Sequence, residues 1–282
     1  MKCPNGTASV RARALALTLA FTALPLAAQT PHAAAPIDLT GYWVSLITED
    51  WRTRMLTAPK GDYYSIPLTD EARRLADNWD GPRDVSQGRQ CMSYGAAGIM
   101  RVPGRLHITW ETDTTLKLET DAGKQIRTFN FVPPPPPANA KQAPRPTPQG
   151  MSLAQWQTPQ STRDYTSKIS AQDPNTPGFP GNTPTGERER DTRNLGGSLR
   201  VVTTNMTPGY LRNNGVSYGA GATLTEFYAI HKRGTDEYLV QTQIVEDPQY
   251  LLVPWVTTNN FRREPDAAKW DPHPCELILP SK

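Results

Sequence analysis

The chain has 282 residues, of which 37% are hydrophobic and 20% charged, with a formal net charge of +3. Its basic excess lies in the first 29 residues, which hold Lys2, Arg11 and Arg13 and no acid, so the remainder carries 27 residues of each sign. That balance gives no electrostatic footprint for nucleic acid, and the length suits one large domain or two small ones.

Residues 1–29 read as a signal peptide. The basic residues precede an apolar core over 14–28 that ends in the small residues Ala27 and Ala28. A membrane anchor is the alternative, but that core falls short of the roughly 20 residues needed to span a bilayer. No later stretch is apolar enough to serve as a transmembrane segment. The periplasm or secretion is therefore the expected destination. Cys3 precedes the apolar core and cannot be a lipidated cysteine, which leaves Cys91 and Cys275. An oxidising compartment favours a disulfide between them, and two separate buried thiols are the alternative.

Residues 30–36, rich in Ala and Pro, read as a flexible leader, and 37–47 as an opening strand. Thr69 caps a helix expected over 69–79, with Asp70 and Glu71 in its first turn and Ala72, Leu75, Ala76 and Trp79 at helical spacing. Three strands follow in a tight meander: 105–111, where Leu106, Ile108 and Trp110 alternate with polar residues, then 116–120 and 124–131. Five consecutive prolines at 133–137 end it, because proline supplies no ladder donor. Residues 132–193 hold 13 of the 28 prolines and read as a largely disordered insertion, broken at 151–157 by a stretch that can dock as a short strand. Residues 198–206 resume as a strand, and 208–221, rich in Gly and Asn, as a long loop. Three further strands, 224–231, 238–246 and 251–261, are separated by turn residues and form hairpins.

The tally is an all-β fold with one short helix. An antiparallel meander of eight to ten strands must escape its edges by closing or stacking. A lipocalin-like barrel is the first expectation and a β-sandwich the second. The single β domain takes in 37–131 and 194–282.

Chemistry is sparsely signalled. There is no His-Glu-x-x-His, paired Cys-x-x-Cys, Gly-x-Ser-x-Gly, glycine-rich dinucleotide fingerprint or P-loop, so no metal and no cofactor is expected. The strand faces are mixed. Leu224, Glu226, Tyr228 and Ile230 share one face, and Val240, Thr242, Ile244 and Glu246 repeat the mixture one strand later. A barrel with a cavity tolerates such polar groups inside, whereas a half-covered sheet is the plainer reading. Acid–base candidates are His107, Glu226 and His231. Ligand-binding candidates are Arg101, Trp110, Tyr210, Tyr228 and Trp255, with Tyr210 on a loop that suits a lid.

Three stretches carry a resemblance: Asp38-Leu39-Thr40-Gly41-Tyr42-Trp43, the run 94–103 (Tyr94 to Pro103), and Ile244-Val245-Glu246-Asp247-Pro248. On them the chain resembles a group of uncharacterised, lipocalin-like exported bacterial β-proteins. That resemblance implies export and one compact domain, and it brings no catalytic residue with it. The leading expectation is a small-molecule-binding barrel with an apolar or aromatic ligand. The alternatives are a cofactor-independent lyase, isomerase or hydrolase, and an envelope interaction protein that docks through its Pro-rich insertion.

Overall fold

In the computed structural model, residues 29–133, 144–157 and 197–279 are described. The expected signal peptide and most of the Pro-rich insertion, with the docking role given to it, lie outside those residues. Nine strands close into one barrel: β1 (Gly41–Leu46), β2 (Arg105–Thr112), β3 (Thr115–Thr120), β4 (Ile126–Asn130), β5 (Met151–Gln157), β6 (Ser198–Thr204), β9 (Thr223–Arg233), β10 (Asp236–Glu246) and β11 (Trp255–Glu264). The remaining two, β7 (Gly209–Arg212) and β8 (Val216–Tyr218), form a separate hairpin. The barrel runs β1-β11-β10-β9-β6-β5-β4-β3-β2, and β1 returns to β2, so no edge is left unpaired.

Period-two alternation explains why these segments are strands. On β9, Leu224, Glu226 and Tyr228 are fully buried while Thr225 and Phe227 are only partly so. On β10 the inward set is Leu239, Gln241, Gln243 and Val245, the more polar of its two faces. The β9–β10 turn places Gly234 at φ +61°, in the left-handed region that glycine adopts freely. Between β3 and β4, Gly123 at φ +76° meets the Tyr94 ring, which a Cβ would strike at 2.2 Å.

One pairing departs from an antiparallel meander. β4 and β5 are parallel, with Phe129 opposite Ser152 and Asn130 opposite Leu153. Residues 144–150, just before β5, lie beside Asn205 and Met206 at the end of the barrel where β4 begins, as a parallel pair requires. β5 itself lies inside the expected insertion yet is a full barrel member, because its pairing with β6 runs from Met151↔Thr204 to Gln157↔Ser198. The stretch 208–221, expected as one long loop, holds the β7–β8 hairpin instead. Asn214-Gly215 sits at its tip with Gly215 at φ +80°, the turn chemistry hairpins use.

Four short helices occur among the described residues: α1 (Trp51–Met55), α2 (Asp70–Asp77), α3 (Gly81–Ser86) and α4 (Ala96–Ile99). α2 is the helix expected from the sequence, and the Thr69 hydroxyl accepts from the Ala72 amide at 3.2 Å. All lie in the connection from β1 to β2, and they fold over one end of the barrel. A hydrophobic cluster of Leu68, Ala72, Leu211, Val216, Tyr218 and Trp255 binds helices and hairpin there. The main core fills the barrel, with Trp43, Leu118, Phe129, Leu199 and Phe261 almost wholly buried. Trp43 donates its indole N–H to the Leu39 carbonyl at 2.9 Å.

At the opposite end the leader packs down. Residues 30–36, expected to be flexible, form a turn whose His32 ring stacks on Trp110 at 4.6 Å, and Trp156 donates to the Pro31 carbonyl at 2.7 Å. Two ring faces and a backbone hydrogen bond hold what composition alone would leave loose. No helix among the described residues is long and apolar enough to cross a membrane.

Cys91 and Cys275 are joined by a disulfide across 184 residues, with their Cα atoms 5.2 Å apart. The tail that it fixes pairs Ala122 with His273, and Tyr94 clasps Glu276 through its carbonyl and its amide. Breaking a cross-link over so long a loop is expected to lower the unfolding free energy by about 3–5 kcal/mol. Urea denaturation of the Cys91→Ser/Cys275→Ser variant against the oxidised protein measures this, and equal midpoints would show that the cross-link carries no stability.

Candidate functional site

The barrel's middle is polar. Arg127 on β4 reaches across it to Glu226 on β9, donating from Nη1 to Oε1 at 2.9 Å and from Nη2 to Oε2 at 2.5 Å. Both side chains are completely removed from solvent. The same Oε1 accepts from the Tyr228 hydroxyl at 2.8 Å and from Gln241 Nε2 at 2.9 Å. The network extends outward in three directions. Asn259 donates to Gln241 Oε1 at 2.6 Å, Thr203 and Ser152 share a hydrogen bond at 2.7 Å, and Gln243 donates to the Ala97 carbonyl of α4 at 3.2 Å. A carboxylate and a guanidinium without water must be paired and hydrogen-bonded in this way, or they cost several kcal/mol each.

The electrostatics follow from the geometry. Burial opposes the charge on Arg127, but Glu226 outweighs it and raises the guanidinium above its ordinary value. Burial, reinforced by the Glu226 charge, pushes the Tyr228 hydroxyl well above its usual range. Burial lifts Tyr218 to about 12 against the opposing charge of Arg127. The centre of the barrel is thus a fixed ion pair with protonated phenols beside it.

The structure separates the three acid–base candidates. Glu226 points into the barrel, whereas His107 lies on the outer wall, stacked on Tyr42 at 4.2 Å with Nδ1 3.2 Å from Glu119 Oε2. His231 is exposed near the tip of β9, also on the outer face. Strand parity is the reason: residues at odd separation along β9 cannot share a face. The proposed constellation of His107, Glu226 and His231 therefore does not form.

Tyr210 is anchored: its hydroxyl donates to Asp84 Oδ2 at 2.7 Å, an acceptor it shares with the Trp79 indole. Burial first, and that hydrogen bond second, raise the Tyr210 hydroxyl above its ordinary value. It is part of the hairpin's seat, and the lid expected of its loop is not formed. Arg101 and Trp255 are brought together at the helical end, with the guanidinium 5.1 Å from the ring centroid. Asp247 is buried and caps a turn, accepting from the Gly219 amide at 2.7 Å, while Glu246 beside it is exposed.

Trp110 stands alone among the candidates at the leader end. β1 and β2 pair with Gly41 opposite Ile108 and Val44 opposite Arg105, which sets Trp110 and Arg101 at opposite ends of the barrel. Phe131 and Trp156 flank the Trp110 indole at 5.5 and 6.4 Å. Between this aromatic group and the leader lies a concavity of about 410 Å³, walled by His32, Pro36, Ile37, Asp38, Thr40 and Trp110. Burial would raise the Asp38 carboxyl, but two hydrogen bonds from Thr40 and the Arg263 charge outweigh it and hold the acid ionised below its usual range.

Sequence reading missed Arg127, Gln241, Asn259 and His32. Arg127 carried one signal, since it shares a strand face with Phe129; nothing local linked it to Glu226, 99 residues away. Among the described residues no group of three or more His, Cys, Asp and Glu is placed to hold a metal ion. Comparison of the chain with protein-family models, curated proteins and solved structures finds no match.

Arg127→Met strands a buried carboxylate and is expected to lower stability by about 3–5 kcal/mol, while adding Glu226→Leu recovers most of the loss. A double-mutant cycle in urea measures the pair, and additive losses would show that the two charges act independently. The phenols predict the alkaline limit. Tyr218 and Tyr228 keep their protons in the folded barrel, whereas unfolded tyrosines release theirs near pH 10, about their unperturbed value. The unfolded state then binds fewer protons, so the stability these groups contribute is intact below about pH 10 and falls as pH rises above it. Urea midpoints between about pH 8 and 11 are expected to drop in the native protein and to drop less in Tyr228→Phe.

Proposed function

We propose that the protein is an exported, lipocalin-like binding barrel for a small apolar or aromatic molecule, working in the periplasm or after secretion. The observation that carries this reading is the concavity of about 410 Å³ beside Trp110. Its size falls in the range of about 300–1,000 Å³ typical of small-molecule pockets, which combine apolar walls with a few orienting polar groups. Trp110, Pro36 and Ile37 offer apolar wall, and the ionised Asp38 with His32 supplies polarity at the rim. The disulfide favours an oxidising compartment, in keeping with the signal-like first 29 residues. The resemblance to uncharacterised exported β-proteins points the same way.

The catalytic alternative loses its basis with the separation of His107 and His231 from Glu226. Glu226 and Tyr228, taken from the sequence as candidate site residues, read better as the hydrogen-bonded centre of the scaffold. Binding is thereby moved to the barrel's ends.

The test uses residues 30–282 with the neutral aromatic probe N-phenyl-1-naphthylamine. Saturable fluorescence enhancement is expected, with affinity at least about tenfold lower in Trp110→Ala, the loss of roughly 1.4 kcal/mol of ring contact. Circular dichroism of the variant checks that the barrel is intact. Unchanged affinity in a folded Trp110→Ala would remove the concavity from consideration.

A further inference from the structure

The helical end of the barrel holds three arginines that the scaffold does not satisfy. Arg54 comes from α1, Arg101 from the turn after α4, and Arg212 from the end of β7. Each is only 5% exposed. Arg54 donates Nε to the Arg101 carbonyl at 2.9 Å, and neither of its Nη atoms has a partner among the described residues. Arg101 donates Nη2 to Asp50 Oδ2 at 2.8 Å and leaves Nη1 unpartnered. Arg212 donates Nη2 to Ser65 at 3.1 Å and stands 3.6 Å from Asp50 Oδ2, with Nε and Nη1 unpartnered. The buried Ser93 hydroxyl is unpartnered as well.

These groups surround a single cavity of about 20 Å³, whose wall is completed by Thr53, Gly98, Val102, Leu211 and Asn213. The charge is out of balance. Among the described residues Asp50 is the one carboxylate in contact with the cluster; the nearby Glu49 accepts from the Thr258 amide, and Asp62 lies toward Arg52. Burial first and the Arg101 charge second bring Arg54 down to about 10 and lower Arg212, while burial lowers Arg101. Three guanidiniums around one buried pocket repel one another, and unmet donors in such a place are costly.

We propose that this cavity is an oxyanion-binding site, taking a carboxylate, phosphate or sulfate group with one oxygen inserted between Arg54, Arg101 and Arg212. The volume accommodates about one water-sized atom, which suits a single inserted oxygen with its neighbours at the solvent opening. Planar guanidinium forks favour oxyanions over a spherical ion. Trp255 lies against Arg101, with the guanidinium 5.1 Å from its ring centroid. The site is independent of the concavity beside Trp110, at the other end of the barrel.

Isothermal titration calorimetry and thermal unfolding of residues 30–282 test it, with sodium acetate, phosphate, sulfate and chloride compared at constant ionic strength. Saturable binding of an oxyanion at least about tenfold tighter than chloride is expected, with a matching rise in Tm. Acetate binding assigns a carboxylate ligand, and binding of phosphate or sulfate alone assigns a tetrahedral one. Arg54→Met removes two unpartnered donors along with the Nε bond to the Arg101 carbonyl, and is expected to abolish the anion response in a protein whose circular dichroism shows the barrel intact. Should it not fold, Arg212→Lys keeps the charge, loses the fork, and is expected to bind at least about tenfold more weakly. No saturable binding in the native protein, or an unchanged response in either folded variant, would overturn the proposal.

Discussion

The Arg127–Glu226 pair is the constraint around which this barrel is arranged. Two opposite charges lie at its centre without water, joined by two hydrogen bonds. Such a pair persists only where further hydrogen bonds support it, and Tyr228 and Gln241 donate to Glu226 while Thr203 accepts from Arg127 and Asn259 holds Gln241 in place. The pair also dictates register. A one-residue slip of β9 would turn Glu226 outward and leave Arg127 buried alone. The pair thereby penalises a slip of either β4 or β9 against its own neighbours.

A polar, hydrogen-bonded middle makes the two ends chemically distinct. Toward the leader, the core passes into Trp110, Phe131 and Trp156, and the chain before β1 folds back on them. Toward the helices, the core passes into buried arginines with too few acids. The Gln243 contact to the Ala97 carbonyl ties the network to α4, one turn before Arg101. Any displacement of the helical cap would therefore be felt at the centre of the barrel. The proposed small-molecule concavity and the proposed oxyanion site thus share a scaffold without sharing a residue.

Much of this fold is legible from residue order because strand formation is governed by near neighbours. The alternation of Leu106, Ile108 and Trp110, the Thr69 cap and the two remaining cysteines each point to what the structure contains. Asn214-Gly215 was equally readable as a hairpin tip, and Gly- and Asn-rich composition masked it. The inward face of β10 was not readable: Val240, Thr242 and Ile244 look more core-like than Gln241 and Gln243, yet the glutamines point in. They do so because Gln241 meets the Glu226 carboxylate of another strand and Gln243 meets the Ala97 carbonyl of α4.

The chain order alone thus determined an all-β fold, its capped helix and the positions of nearly all its strands, with the barrel and the cross-linked tail as first expectations that the structure bears out. Local spacing and turn chemistry suffice for those. Tertiary structure alone decided that Glu226 meets Arg127, that His107 and His231 stand apart from it, and that Arg54, Arg101 and Arg212 converge. Each of these depends on barrel closure, which joins residues far apart in the chain and sets which side of the wall every side chain occupies.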